Sequence, residues 1–198
     1  MKTLSALLTA AALTFSIAAH ASPITFTFTA TDADLTLGSS TYDGVNFSVT
    51  MSADTADVDT SKFGPTTPGY DNLTATMSIS GGPSVTFLAY VFNNQVTPAV
   101  GFGNDTTFDL FDLDASGVGL NTYGLTTAFG PISTSDIVAL NQWTNLATSG
   151  GSMTVSSVAE GTFEATTPSS VPEPGTLGLL GVGLLGLVLV SRRREGRA

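Results

Sequence analysis

Apolar and hydroxyl-bearing residues alternate with a period of two along most of the chain, Gly- and Pro-containing turns interrupt that alternation repeatedly, and no long segment shows helical periodicity. These observations predict an all-β fold: a single jelly-roll-like β-sandwich between an N-terminal signal peptide and one C-terminal transmembrane helix. About eight to ten short strands are expected, each with one face on a core and one in water.

The elements follow in order. Lys2, the apolar stretch Leu4–Ala18 and the triplet Ala19-His20-Ala21 make a secretory signal, residues 1–21, with Ala19 and Ala21 as the small residues of the cleavage site. Export through the Sec machinery and cleavage by signal peptidase after Ala21 are therefore expected. The sandwich should fill residues 22–165. Ile24, Phe26, Phe28 and Ala30 alternate with threonines; Val45, Phe47, Val49 and Met51 alternate with Asn46, Ser48 and Thr50; Leu73, Ala75, Met77 and Ile79 repeat the pattern. Val85–Phe92 is apolar on both phases except at Thr86, as in a strand central to a sheet. Ser135–Leu146, capped by Ser135 or Asp136, is the one candidate helix and reads equally as a loop. Met153–Val158 and Thr162–Thr166 are expected to close the fold as a hairpin across Ala159-Glu160-Gly161. Residues 166–170 read as a linker.

Charge narrows the function. Between residues 22 and 174 Lys62 is the only basic residue against fifteen acidic ones, a formal charge of −14. Nucleic acid needs a basic stripe and is excluded as a partner. The chain has no cysteine, and its one histidine, His20, leaves with the signal peptide. Thiol nucleophiles, thiolate metal sites, histidine zinc sites and a Ser-His-Asp triad are thereby removed from the mature domain. No disulfide can help hold the fold, so the core must.

Three groups could still carry chemistry. Asp54, Asp57 and Asp59 offer hard oxygen ligands suited to Ca²⁺, yet lack EF-hand spacing, and a solvated loop is the favoured assignment. In Phe108-Asp109-Leu110-Phe111-Asp112-Leu113-Asp114, a regular strand puts Asp112 and Asp114 on one face and Asp109 on the other, where two carboxylates could bind a cation or act on a sugar. Trp143 with Tyr70, Tyr90 and Tyr123 could stack on a polysaccharide if exposed, but a lone Trp in a sandwich belongs more often to the core. No catalytic residue, metal ligand or cofactor is assigned, with Ca²⁺ kept as the one candidate ion.

The tail is the most specific segment. Val171-Pro172-Glu173-Pro174 precedes the uncharged run Gly175–Ser191, which precedes Arg192-Arg193-Arg194. Those 17 residues span roughly 25 Å as a helix, the short limit for crossing a membrane core of about 30 Å. The arginines favour a cytoplasmic C-terminus, placing residues 22–170 across the membrane. Pro172 and Pro174 keep the motif extended and accessible just outside the bilayer. A short polar motif, an apolar span and a basic stop, in that order over residues 171–198, resemble the PEP-CTERM sorting signal of Gram-negative bacteria. The resemblance implies an exosortase, a membrane cysteine transpeptidase, as partner, and association with exopolysaccharide and biofilm systems. Within the body, Tyr90–Gln95 and Tyr123–Thr127 look similar to other PEP-CTERM β-domains, which implies no activity.

The expectation is an exported surface or extracellular-matrix protein, passing through the inner membrane on its C-terminal helix before an exosortase sorts it. Its role is expected to be structural or interactive in envelope, exopolysaccharide or biofilm assembly, and non-enzymatic. A Ca²⁺-dependent carbohydrate-binding module or a glycan-active hydrolase is the alternative.

Overall fold

The computed structural model describes residues 22–105 and 108–168. The expectations for residues 1–21 and 169–198, including Ala19 and Ala21, Val171–Pro174, the apolar span and Arg192–Arg194, lie outside them. Among the described residues no helix is long and apolar enough to cross a membrane.

Among the described residues eleven strands follow one another: β1 (Pro23–Leu37), β2 (Ser40–Asp54), β3 (Gly69–Ile79), β4 (Ser84–Asn94), β5 (Ala99–Asn104), β6 (Phe108–Asp114), β7 (Phe129–Thr134), β8 (Ile137–Val138), β9 (Leu146–Thr148), β10 (Gly151–Ser157) and β11 (Glu160–Thr166). The sheet runs β7-β11-β1-β2-β3-β4-β5-β6-β8, with β10 paired to β1 and β9. Strands β1 to β6 are neighbours in sequence order, so the topology is a meander closed by the return of β10 and β11 beside β1. A jelly roll would pair strands further apart in sequence, and that part of the expectation is corrected. The all-β class holds, because the alternation seen in the sequence is the alternation of burial: Ile24, Phe26, Phe28 and Ala30 are wholly buried, and the threonines between them are not.

The sheet curls over its own apolar face. Phe28 of β1 meets Phe102 of β5 and Phe111 of β6 with ring centroids 5.0 and 6.3 Å apart. Trp143, fully buried, packs edge-on against Phe47, Phe102 and Phe111. One core cluster therefore joins residues from β1, β2, β5, β6 and β11, in a barrel- or sandwich-like wrap.

One local expectation is corrected, and one left between helix and loop is decided against the helix. Strands β10 and β11 do not pair with each other. β10 lies antiparallel to β1 at Asp34–Leu37 and β11 lies antiparallel to β1 at Thr25–Thr31, so the chain from Gly151 to Thr166 follows a single edge of β1. Ala159-Glu160-Gly161 is a kink rather than a hairpin turn, and it faces the register shift of β1 around Asp32–Leu35. Ser135–Leu146 forms no α-helix. Ile137 and Val138 pair with β6, Leu140–Gln142 make one 3₁₀ turn, and Ala139 and Asn145 take positive φ angles of 69° and 54°. Burial of Trp143 outweighs the weak helical preference of the segment. β4 sits between β3 and β5, as its two-phase apolar pattern requires.

Candidate functional site

The acidic loop after β2 is used locally. Asp54 Oδ1 accepts a hydrogen bond from the Ala56 N–H at 2.9 Å, capping the short turn Thr55–Asp57. Asp59 Oδ1 accepts from the Ser61 hydroxyl at 2.7 Å and the Ser61 N–H at 2.6 Å, which together hold its carboxyl below the ordinary range. Asp57 joins Asp54, Tyr70 and Asp71 around an open depression of ≈ 480 Å³. Among the described residues no three acidic side chains are grouped so as to hold a metal ion.

The aromatic candidates are internal. Trp143, Tyr70, Tyr90 and Tyr123 are all buried. Tyr70 OH donates to the Leu125 carbonyl at 3.2 Å and Tyr123 OH to the Thr127 carbonyl at 3.0 Å. Burial, with the Asp54 and Asp57 charges nearby, pushes the Tyr70 phenol up to about 12. These side chains build the core and tie down the segment 120–127; they present no stacking platform.

The β6 aspartates differ from their expected placement. Gly103 faces Asp109 and Phe102 faces Phe111, which leaves Leu110 as an extra residue in β6. This β-bulge turns both Leu110 and Phe111 into the core and brings Asp109 to the outer face that Asp112 occupies. A regular strand would have put Asp109 on the opposite face. On the neighbouring strands that face carries Tyr90 and Phe92 from β4 and Gly101 and Gly103 from β5. Tyr90 OH donates to Asp109 Oδ1 at 2.8 Å. Asp112 is only 8% exposed, and its Oδ1 has no hydrogen-bond partner among the described residues. Burial, then the Asp109 charge, pushes the Asp112 carboxyl up to about 8.

A strap spanning residues 58–68 covers the adjoining part of this face. It is fixed by the Asp59–Gly69 bridge and by Phe63, which lies on Gly69 and 5.2 Å from the Tyr90 ring. A Cβ at Gly69 would stand 2.5 Å from the Phe63 ring, so only glycine permits that contact. Lys62 reaches Asp71 at 2.6 Å and Asp105 at 2.9 Å, and lies over the Phe63 and Tyr90 rings. Partial burial works against its charge, but the two carboxylates outweigh it and hold the ammonium above its ordinary range. The sequence marks Lys62 as the lone base of the body; its contacts are long-range and leave no sequence signal.

The opposite extreme of chemistry lies on the outer face of β7, β11, β1, β2, β3 and β4. One cross-strand row reads Ser133, Thr162, Thr29, Ser48, Ser78 and Ser84, a hydroxyl from each of six adjacent strands. The next reads Glu164, Thr27, Thr50, Thr76 and Thr86. Strand spacing of about 4.8 Å and roughly 7 Å between rows make this a lattice of neutral donors and acceptors. Neighbouring hydroxyls bond to one another, as at Ser133–Thr162 (2.7 Å) and Ser78–Ser84 (2.9 Å). A shallow depression of ≈ 290 Å³ opens among Thr29, Ser48, Ser78 and Ser80. In these two rows Glu164 is the one charge. The alternation is visible in the sequence, but the rows require the register.

Residues 170–194 match the family model described as the PEP-CTERM protein-sorting motif. No curated protein and no solved structure matches the chain.

Proposed function

Starting from the PEP-CTERM protein-sorting motif at residues 170–194, we propose that this chain is an exported bacterial protein delivered to the cell surface or matrix by an exosortase, and that its β-domain works there without catalysis by holding neutral polysaccharide. The motif carries the sorting half: it is the part of the chain that a known family model matches, and it implies recognition by an exosortase. Polysaccharide as the partner of the domain is supported by the two-row hydroxyl lattice with its single charge, on a body whose formal charge is −14. A neutral, hydroxyl-rich polymer can exchange hydrogen bonds with such a face and meets no charge repulsion there. A glycan hydrolase would need two carboxyls facing each other across a cleft. Asp109 and Asp112 instead lie along one strand, and Asp112 is almost enclosed.

The test is the intact mass of the protein from native cells, fractionated into membrane, surface and medium, with the exosortase gene present and deleted. A surface or released form ending near Pro174 that disappears on deletion is expected. A full-length chain in the inner membrane under both conditions overturns the sorting proposal.

A further inference from the structure

Three hydroxyls of the lattice open onto a space of their own. Thr29 of β1, Ser48 of β2 and Ser78 of β3 stand side by side in one cross-strand row, and all three line the depression of ≈ 290 Å³. Asn46 and Ser80 complete its rim. Its floor is what little of Phe47 and Ile79 the core leaves uncovered, 3% and 4% of each. The volume lies just below the ~300–1,000 Å³ of pockets that enclose a drug-sized molecule. It is room for one ring of a polymer whose neighbouring units stay outside.

The sheet holds this rim in place. Strand β1 shifts register between Ala30 and Ala33, opposite Phe47 and Val45, and Asn46 lies between those two. At that shift Asp32 takes a φ of 51°, and its N–H donates to Asn46 Oδ1 at 3.2 Å. The Ser80 N–H donates to the Asn46 carbonyl at 2.8 Å. With its side-chain oxygen committed to a backbone N–H, the Asn46 amide keeps its NH₂ as a donor for a partner outside the chain. Ser78 and Ser84 share a hydrogen bond of 2.9 Å, while the hydroxyls of Thr29, Ser48 and Ser80 have no partner among the described residues. None of the lining side chains is charged. The Asp32 carboxylate is turned to Gly44, 3.2 Å from where a Cβ would stand there.

Resting on the polysaccharide part of the proposed function, we infer that this depression is a subsite for one neutral pyranose unit within a glycan chain, with Asn46 and Ser48 as its specificity-determining residues. A pyranose presents an apolar C–H face and a belt of hydroxyls. The floor of Phe47 and Ile79 suits the first and the rim suits the second. Each rim hydroxyl can donate or accept, whereas the Asn46 NH₂ can only donate and so selects an acceptor oxygen on the sugar. A uronic acid finds no cation here, because Lys62 is committed to Asp71 and Asp105 and the body carries a formal charge of −14. The row continues to Thr162 on one side and Ser84 on the other at about 4.8 Å per strand, so units flanking the bound ring also meet hydroxyls.

The experiment is affinity electrophoresis of the full-length chain in detergent through gels that hold hydroxyethylcellulose, galactomannan or dextran, with polygalacturonate as the anionic counterpart. At least one neutral polymer is expected to retard the protein, and polygalacturonate is not. Asn46→Asp keeps the acceptor for the Asp32 N–H but replaces the donor with a charge; it should weaken retardation about tenfold or more, and Ser48→Ala about threefold. Both side chains reach water, so the melting temperature should hardly move. Ser133→Ala, at the far end of the row, should cost less than Ser48→Ala. No retardation by any neutral polymer overturns the subsite and the polysaccharide proposal together. Retardation that survives in both Asn46→Asp and Ser48→Ala, that falls as far in Ser133→Ala as in Ser48→Ala, or that polygalacturonate matches, overturns the subsite alone.

Discussion

Asp112 and Lys62 show how single side chains set the behaviour of the outer face of β3–β6. Asp112 is a carboxyl that folding displaces from 3.8 to about 8. Below about pH 4 it is protonated in both the folded and unfolded states and imposes nothing. Between these values the unfolded chain releases a proton that the folded chain keeps, so this group's contribution to stability falls as pH rises, and it levels off above about 8. Asp34 and Asp59 act in the opposite sense, because hydrogen bonds from Gly44 and Ser157, and from Ser61, lower theirs. The two effects separate by subtraction. In urea titrations between pH 4 and 8 the advantage of Asp112→Asn over the wild type should grow with pH, to on the order of a few kcal/mol. An unchanging difference would mean that Asp112 ionises freely in the folded state. Lys62→Met keeps the stem that packs on Phe63 and Tyr90 but removes both ion pairs. The pairs are partly exposed, so the expected loss is about 1 kcal/mol, shrinking at high salt, with faster proteolysis within residues 58–68. Unaltered proteolysis would show that the backbone bridge at Asp59–Gly69 and Phe63 hold the strap unaided.

At the level of strands, what could be read in advance was whatever local alternation determines. Ile24–Ala30, Val45–Met51 and Leu73–Ile79 were legible because each buries the same phase along its length, and β4 because both its phases are largely apolar. Pairing was not legible. Met153–Val158 and Thr162–Thr166 carry the signals of a hairpin, yet each finds its partner in β1, more than a hundred residues earlier. The bulge at Leu110 was equally hidden: Asp109-Leu110-Phe111-Asp112 contains no glycine or proline to mark it, and one inserted residue moved Asp109 to the opposite face. The hydroxyl lattice has the same origin, since hydroxyls in six separate strands become a row only when five registers agree. That row structure supports a direct test. Thr50 lies between Thr27 and Thr76 at the centre of the face. Thr50→Asp should leave stability within about 1 kcal/mol, because the position faces water, while weakening retention on the native exopolysaccharide by about tenfold, or ~1.4 kcal/mol. Ser116→Asp, on an exposed turn, should leave retention unchanged. Equal retention for all three proteins in a co-sedimentation assay would remove the face from the proposed contact.

For the molecule as a whole, stability has one source. The chain has no disulfide to restrict its unfolded state, and its ion pairs among the described residues are those of Lys62. A single apolar cluster must therefore carry a fold that wraps β4–β6 over β1 and β11. Trp143 lies where these parts meet, with Phe47 of β2, Phe102 of β5 and Phe111 of β6 all at 5.4–6.4 Å between ring centroids. Because the same rings serve strands from both sides of the wrap, neither side can expose its apolar face without exposing the other's. Unfolding should then be one cooperative event. Trp143 fluorescence, which reports the junction, and far-ultraviolet circular dichroism, which reports all the strands, should give superimposable urea transitions. Trp143→Ala should move that single transition down by about 3–5 kcal/mol, the usual cost of removing a large enclosed aromatic, a heavy fraction of the ~5–15 kcal/mol that domains possess. Two resolved transitions in the wild type, with fluorescence changing first, would mean that β4–β6 separate from β1, β2 and β11 before the sheet melts, and the core would then be two layers held by Trp143 rather than one.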